Sequence, residues 1–322
     1  MAKRRRGDTE IGDGGGVIKD KSRQAPSRVS RPAQPEDFSS NIFPSPHPRF
    51  SASSRVRPSK SLGQNFLINE GVVTKIIEAL APESDETIIE IGPGKGALTA
   101  QLLEKAGRVV AVEFDRNLIP LLQATFAARE NLKLLAEDAL AVDFCNVIQP
   151  ATQARVVANL PYNIATAVLR RLIAQRSCLC ELVLMLQREV VERITAAPGS
   201  KERGYLSVFV EAYCDTEKLF DVAPGSFRPV PKVWSSVVRL TPKPALDPEL
   251  DEELLWQLVS AGFAQKRKTI LNNLRSASGK LLEIIKRHGG ASIILCRAEI
   301  DVQRRAETIS LEEWLRLART ME

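Results

Sequence analysis

The chain has 322 residues, of which 44% are hydrophobic and 26% charged, so it is long enough for about two domains with real cores. It contains no apolar run of 18 or more residues, which argues against a membrane-spanning helix. The net charge is +6, but residues 1–60 alone hold 13 Lys or Arg and 6 Asp or Glu. The basic excess, which favours an anionic partner, therefore lies in the N-terminal segment, and the rest of the chain is nearly neutral.

Histidine and cysteine are too sparse to suggest a metal site. The two histidines are His47 and His288, and the five cysteines form no Cys-x-x-Cys pair. This pattern predicts free thiols in a reducing compartment, without disulfides and without a bound metal. The N-terminal segment lacks the apolar core of a signal peptide, so we expect a cytoplasmic location. The cysteines are Cys145, Cys178, Cys180, Cys214 and Cys296.

The first 55 residues differ in composition from the rest. They are rich in Arg, Ser, Pro and Gly, which predicts a disordered basic tail over 1–55. From 56 to 243, strand patterns alternate with helix patterns, which predicts a doubly wound, Rossmann-like α/β domain with a parallel sheet. The predicted elements are a helix at 72–80, a strand at 87–91, a helix at 97–105, a strand at 108–113, a helix at 118–128, strands at 132–135 and 155–158, a helix at 165–174, a strand at 181–186 and a helix at 189–195.

The pattern changes after Gly204. A helix is predicted at 205–213, followed by strands at 218–222 and 235–240 that could form an antiparallel hairpin at the sheet edge. Thr241-Pro242-Lys243-Pro244 is typical of a linker. Beyond it, a small C-terminal helical domain is predicted over 244–322, with helices at 252–263, 269–274, 280–288 and 311–320.

A glycine loop separates the first predicted strand from its helix. Gly92-x-Gly94-x-x-Ala97 matches the dinucleotide fingerprint, and Glu113 ends the next strand about 20 residues later. Glu113 can accept hydrogen bonds from both hydroxyls of a ribose. The loop alone does not separate NAD from another adenosine ligand, so an NAD-dependent oxidoreductase is one alternative at this point.

Two further polar segments come after later strands. Asp138 follows the third strand, where it can accept the amine of an adenine or cap a helix. Asn159-Leu160-Pro161-Tyr162 follows the fourth strand and combines an amide, a stiff proline turn and an aromatic ring. A proline turn closing a strand is the plainer interpretation of this tetrapeptide. Together with the glycine loop, however, the layout is typical of an S-adenosylmethionine (AdoMet) site beside an amine acceptor. An NAD-dependent oxidoreductase would give the tetrapeptide no role.

Several segments together resemble the ribosomal RNA adenine dimethyltransferases. The likeness runs from about residue 59 to the C-terminus, excludes the N-terminal tail, and is closest to the bacterial small-subunit (16S) enzymes, the type linked to kasugamycin sensitivity. Each motif is weak alone, but their order and spacing are specific. The segments are Ser61–Leu67, Ile89–Gly96, Asn159–Ile164, Leu186–Arg193, Phe227–Val233 and Gln265–Ile270.

The resemblance implies an activity, a substrate and a set of cofactor contacts. The activity is AdoMet-dependent N6,N6-dimethylation of two adjacent adenosines in the 3′-terminal hairpin loop of 16S rRNA, with the immature 30S subunit as partner and a monomeric enzyme. Trp234 departs from the family pattern, which usually has Asp at this position. The residues expected to contact AdoMet are Asn65, Leu67, Gly92, Gly94, Glu113, Asp138 and Asn159.

The candidate catalytic residues have distinct expected roles. The Asn159 side-chain oxygen and the Leu160 carbonyl would accept the two hydrogens of an adenine N6, and Pro161 would stiffen the turn. Tyr162 would stack on the adenine ring, since the base must leave its own stack. Phe227 either forms the opposite face or is a core residue ahead of a proline turn.

RNA phosphates require exposed cations. The candidates are Arg228, Lys232, Lys266, Arg267 and Lys268, each of which could also be a solvated charge. The remaining alternatives are a large-subunit rRNA adenine methylase, a DNA adenine methyltransferase, and a noncatalytic ribosome-assembly or RNA-binding factor with the same fold.

Overall fold

The computed structural model describes residues 62–321, so the predicted tail over 1–55 lies outside the described residues. No helix in the described range is long and apolar enough to cross a membrane. The strands are β1 (Phe66–Leu67), β2 (Thr87–Ile91), β3 (Arg108–Val112), β4 (Leu132–Leu135), β5 (Ala154–Asn159), β6 (Leu179–Gln187), β7 (Cys214–Val222), β8 (Phe227–Arg228) and β9 (Ser235–Pro242). The α-helices are α1 (Glu70–Leu80), α2 (Ala97–Lys105), α3 (Ile119–Thr125), α4 (Phe144–Val147), α5 (Ala165–Ala174), α6 (Arg188–Ile194), α7 (Tyr205–Tyr213), α8 (Glu252–Gly262), α9 (Ile270–Arg275), α10 (Gly279–Arg287), α11 (Ala291–Arg297) and α12 (Leu311–Arg319).

Seven strands form one sheet in the order β4-β3-β2-β5-β6-β9-β7. The strands from β4 to β6 are parallel, and β9 and β7 continue the sheet in antiparallel pairing. The α/β class is therefore confirmed, and so is the antiparallel hairpin at the edge. From β2 the chain adds β3 and β4 on one side and β5 on the other, which creates a change of winding between β2 and β5.

The sheet has an apolar core on each face because neighbouring strand residues point to opposite sides. Ile89 and Val156 pack in one core with helices such as α5. Ile88 and Val157, one residue away along their strands, pack in the other core with α1 and α2. The buried strands β2 and β5 are thus covered on both sides, as a doubly wound sheet requires.

The C-terminal helices α8 to α12 have a third core, centred on the fully buried Trp314. It is joined to the sheet through α7, which contributes Val208 to this core. Trp256 of α8 donates from its indole nitrogen to the Tyr213 hydroxyl of α7, at 3.1 Å. The predicted domain boundary at 243/244 falls in the segment between β9 and α8 and stays a prediction.

Two cysteines depart from the expectation of free thiols. Cys145 and Cys178 form a disulfide across 33 residues, so that prediction is wrong for this pair. The Gln175 side chain accepts the Phe144 amide at 2.7 Å, which holds α4 against the end of α5 and brings the two cysteines together. Sequence spacing gives no sign of this packing. The other three cysteines are free thiols, as predicted.

Candidate active site

A cleft opens where the parallel strands β2 and β5 end side by side. This is the change of winding in the sheet, the position at which α/β sheets bind ligands. Its empty space, including the part open to solvent, is ≈ 970 Å³. The lining comprises Leu62, Gly63, Gln64, Asn65, Phe66, Ile91, Gly92, Gly94, Val112, Glu113, Phe114, Glu137, Asp138, Ala139, Leu140, Asn159, Leu160, Pro161, Tyr162, Asn163 and Ile164.

The glycine loop after β2 has a backbone that only glycine adopts readily. Gly92 and Gly94 have φ of 70° and 58°. The Gly92 amide donates to the Val112 carbonyl of β3 at 2.9 Å, which ties the loop to the next strand. A Cβ built on Gly92 would meet no heavy atom nearer than the Asn159 carbonyl oxygen at 3.9 Å. The loop therefore leaves room for a ligand to approach its backbone.

Glu113 is a buried carboxylate held by backbone amides. One oxygen accepts the Gly94 amide at 3.1 Å, and the other accepts the Asp115 amide at 2.8 Å. Burial raises the pKa of Glu113, and these two amides partly oppose the rise. Because each carboxylate oxygen has a second lone pair, both can still accept a hydroxyl. The two amides thus hold the side chain in one orientation and leave each oxygen able to accept a further hydrogen bond.

Gln64 lines the cleft and is held by Asp115, a contact that the strand-end motifs do not reveal. The Gln64 amide donates to one Asp115 oxygen at 2.8 Å, and the Asn117 amide donates to the other at 3.0 Å. Burial would raise the pKa of Asp115, but the bonds from Gln64 and Asn117 outweigh it and lower the pKa. The contact fastens the segment before β1 to the segment that follows β3. In the sequence, only its place in the Ser61–Leu67 segment pointed to Gln64 as a site residue.

Asp138 also belongs to the lining and follows β4. One carboxylate oxygen accepts the Leu140 amide at 2.9 Å, as in an Asx turn. The alternative interpretation as a helix cap is wrong, because α4 begins six residues later and its cap is Asp143. Phe114 and Leu140, which are 58% and 37% exposed, add apolar surface beside the two acids.

The Asn159 turn has a defined side-chain orientation. Its amide nitrogen donates to the Asn65 carbonyl oxygen at 3.0 Å. Because that carbonyl can only accept, the nitrogen must face Asn65 and the Oδ1 atom must lie on the other side of the amide. The Leu160 amide donates to the Met185 carbonyl of β6 at 3.2 Å, which anchors the turn to the sheet.

Tyr162 is half-buried in the lining and hydrogen-bonds through its hydroxyl to the Ser235 hydroxyl at 2.7 Å. Burial raises the pKa of Tyr162, and the Ser235 bond opposes the rise. Ser235 is fully buried at the start of β9. Sequence reasoning missed it, because a serine 73 residues away carries no local sign of this contact.

Two predicted site residues lie outside the lining. Leu67 and Phe227 are paired in the short ladder of β1 and β8, and their side chains pack in a core of the sheet. Phe227 is 0% exposed, so it presents no ring face to a ligand in this structure. Its position agrees with the core-packing interpretation. Leu67 is 8% exposed.

The candidate RNA-binding cations are exposed in two segments. Arg228 and Lys232 belong to β8 and the loop after it, which leads directly to Ser235. Lys266, Arg267 and Lys268 lie between α8 and α9, and not on a helix. The Lys266 ammonium donates to the Lys201 carbonyl at 2.6 Å.

The fold and the cleft define a Rossmann-like, AdoMet-dependent methyltransferase. A dimethyladenosine transferase from Plasmodium falciparum has a similar structure, with a TM-score of 0.67, 26% identity, and coverage of 78% of this chain and 95% of that one. The 23S rRNA methyltransferase ErmE is similar in fold, with a TM-score of 0.61, 23% identity, and coverage of 80% and 99%. The open space at Gly92 and the oriented Glu113 carboxylate fit an adenosine cofactor.

The chain belongs to the ribosomal RNA adenine dimethylase family, whose pattern matches residues 56–317. It is therefore an rRNA adenine dimethyltransferase. The ribosomal RNA small subunit methyltransferase A of Saccharophagus degradans is 42% identical over 269 residues, which are 82% of this chain and 95% of that protein. The protein of the same name from Nitrosococcus oceani is 43% identical over 264 residues, which are 82% and 96% of the two chains.

Proposed function

We propose that the protein dimethylates N6 of two adjacent adenosines in the 3′-terminal hairpin loop of 16S rRNA, within immature 30S particles. The observation that carries the proposal is that the Asn159–Tyr162 turn shares one cleft with the glycine loop, Glu113 and Asp138. The names of the bacterial relatives, which specify the small ribosomal subunit, support 16S rRNA as the substrate. The enzyme would act as a monomer in the cytoplasm, where ribosomes assemble.

AdoMet supplies an electrophilic methyl group on a sulfonium, whose leaving group is neutral. In this proposal Glu113 binds the ribose hydroxyls, because its two oxygens are already aimed by the Gly94 and Asp115 amides. Asp138 accepts the amine of the cofactor adenine. Phe114 and Leu140 cover the flat ring with apolar surface. The glycine loop lets the rest of the cofactor pass close to the backbone.

The acceptor amine must be made more nucleophilic, because the N6 lone pair of adenine is delocalised into the ring. Two acceptors on the N6 hydrogens favour a pyramidal nitrogen with its lone pair directed at the methyl group. The Asn159 Oδ1 is available for this role because the amide nitrogen is bound to Asn65. The Leu160 carbonyl is the second acceptor. Orientation and proximity supply much of the rate, and the proton leaves to water.

Tyr162 holds the target base outside its stack. The hydroxyl is fixed by Ser235, so the ring has little freedom and can act as a stacking surface. After the first transfer, N6 carries one methyl and one hydrogen. The turn must then accept a single hydrogen bond and leave room for the methyl group. RNA phosphates would bind Arg228, Lys232 and the Lys266–Lys268 segment.

The substrate is tested by incubating the full-length protein with labelled AdoMet and one of three RNAs. These are naked 16S rRNA, immature 30S particles that lack the methylation, and 23S rRNA. We expect dimethyladenosine in the 3′-terminal region of the 16S rRNA of the 30S particles, measured by mass spectrometry of nuclease fragments. Product only in 23S rRNA, or in no RNA, would contradict the proposal.

The acceptor role is tested with Asn159→Ala. We expect kcat to fall by at least about 100-fold, because the N6 hydrogens lose an oriented partner, while AdoMet still binds in calorimetry. Asn146→Ala is the matched control, since Asn146 is exposed on α4 outside the cleft, and it should keep wild-type turnover. Full activity of Asn159→Ala would show that Asn159 is not the acceptor of the N6 hydrogens.

A further inference from the structure

The loop between β8 and β9, residues 229–234, has an unusual surface, and we call it the Trp234 loop. Val230, Val233 and Trp234 are 54%, 43% and 47% exposed. Three large apolar side chains within five residues are a costly feature on a water-facing loop. Such a patch indicates contact with a partner.

The Trp234 loop borders the candidate active site. The Trp234 carbonyl accepts the Arg188 amide at 2.9 Å, which fixes the backbone at the end of the loop. The next residue, Ser235, is the buried serine that holds the Tyr162 hydroxyl at 2.7 Å. Trp234 is therefore one residue from the anchor of the proposed stacking ring. The Trp234 loop thus leads directly to the residue that anchors Tyr162, which lines the cleft.

The loop is stiff and positively charged. Pro229 and Pro231 restrict its backbone, and β8 on its N-terminal side is paired with β1. Arg228 and Lys232 are exposed, and the segment 228–234 contains no acidic residue. Apolar and aromatic surface combined with cations suits a partner with flat bases and phosphates better than an apolar protein surface.

We propose that Trp234 stacks on an unpaired base of the substrate RNA next to the target adenosine, while Arg228 and Lys232 contact flanking phosphates. The inference rests on the proposed function, because it requires an RNA loop at the cleft. When the target adenine leaves its stack, the neighbouring base loses a stacking partner. The indole of Trp234 replaces that partner, and the Trp234 loop thereby selects substrates with an unpaired neighbour.

The test is a double-mutant cycle between Trp234 and the RNA. The probe is a synthetic hairpin RNA with two adjacent adenosines in its loop, intact or with an abasic nucleotide beside the pair, and affinity is measured by fluorescence anisotropy. We expect Trp234→Ala to weaken binding of the intact hairpin by about 5- to 100-fold, and Trp234→Phe to restore most of the affinity. The abasic nucleotide should weaken binding to the wild-type protein but add little in Trp234→Ala.

Ile293→Ala is the matched control, because Ile293 is 46% exposed on α11 in the C-terminal helices. It should bind both hairpins like the wild type. AdoMet affinity, unchanged in all variants, reports an intact fold. Equal hairpin binding by the wild type and Trp234→Ala, or an equal abasic penalty in both, overturns the inference. Weaker binding of Trp234→Ala to 30S particles with unchanged hairpin binding would instead place the contact of Trp234 on another part of the particle, and this also overturns it.

The two proposals fail separately in these measurements. If the wild type methylates 16S rRNA and the cycle shows no coupling, only the role of Trp234 is lost. If the cycle shows coupling but dimethyladenosine forms in another RNA, only the 16S assignment is lost.

Discussion

Glu90 is a carboxyl group inside the core, directly before the glycine loop. It is 1% exposed on β2, and its partner is the Thr99 hydroxyl of α2, which donates to it at 2.6 Å. Burial raises the pKa of Glu90 from an ordinary value of 4.5 to about 7, and the nearby charge of Glu113 adds to the rise. Near neutral pH the group is thus divided between its neutral and charged forms.

The pKa of Glu90 predicts a pH-dependent stability. Because the folded state holds the proton more tightly than the unfolded state, stability decreases as the pH rises from about 4.5 to about 7. The loss from this group amounts to about 3 kcal/mol. Glu90→Gln cannot ionise, so its free energy of unfolding in urea should lack this decrease between pH 5 and pH 8. The exposed Glu130→Gln should behave like the wild type; a decrease of the same size in Glu90→Gln would refute the assignment.

At the level of residues, the sequence predicts the polar groups at strand ends better than the side chains that pack beneath them. Glu113 and Asn159 could be predicted because the carboxyl ends of parallel strands meet at one edge of the sheet. Ser235 could not, because its contact with Tyr162 depends on the order of β5, β6 and β9 across the sheet. Phe227 was ambiguous, since an aromatic residue before a proline turn has the same local sequence in a core and at a site.

At the level of elements, the shortest ones could not be predicted. The strands β2 to β6 and the helices α2, α3, α5 and α6 were clear because each has several residues with a regular apolar pattern. β1 and β8 have two residues each, and their pairing joins segments about 160 residues apart. The four residues of α4 are too few for a helical period. No pattern in the sequence could therefore have placed Cys145 beside Cys178.

The junction of β2 and α2 contains a glycine with no room for a side chain. Gly96 begins α2 with φ of 86°, and a Cβ there would lie 2.6 Å from the Phe126 ring. Gly199 has a similar φ of 90° with open space around it, so Gly199→Ala isolates the backbone strain. We expect Gly199→Ala to cost about 1 kcal/mol and Gly96→Ala about 1–3 kcal/mol more in urea unfolding. AdoMet affinity should fall in Gly96→Ala alone. If the two variants lose the same amount of stability, the Phe126 contact adjusts without cost.

At the level of the whole molecule, the cleft and the proposed RNA-binding cations lie in different parts of the chain. The sheet provides the cleft, and the C-terminal helices provide the Lys266–Lys268 segment. The aromatic residues Phe209, Tyr213 and Trp256 connect the two, with ring centroids 5.2 Å apart for Phe209 and Trp256. The helical C-terminal part could be predicted from its apolar pattern, but this aromatic connection could not, because it requires α7 and α8 to lie side by side.

The charge of residues 1–55 predicts a role in RNA affinity that is separate from catalysis. This segment holds 11 Lys or Arg and 6 Asp or Glu, a net of +5, whereas all residues that line the cleft lie beyond it. We expect deletion of residues 1–55 to leave kcat unchanged at saturating 30S particles. The slope of log affinity against log salt should become shallower by about 0.7 for each phosphate contact that is lost.

A second variant distinguishes the effect of the segment's charge from the effect of its length. It keeps the whole chain and replaces Lys3, Arg4, Arg5 and Arg6 with Gln. If the segment acts through its charge, this variant should reproduce part of the change in salt slope, because it removes four of the eleven cations. If the salt slope changes in the deletion variant but not in the Gln variant, the effect comes from other parts of the segment. Loss of turnover on deletion would contradict the separation itself, since it would mean that the cleft requires residues 1–55 to function.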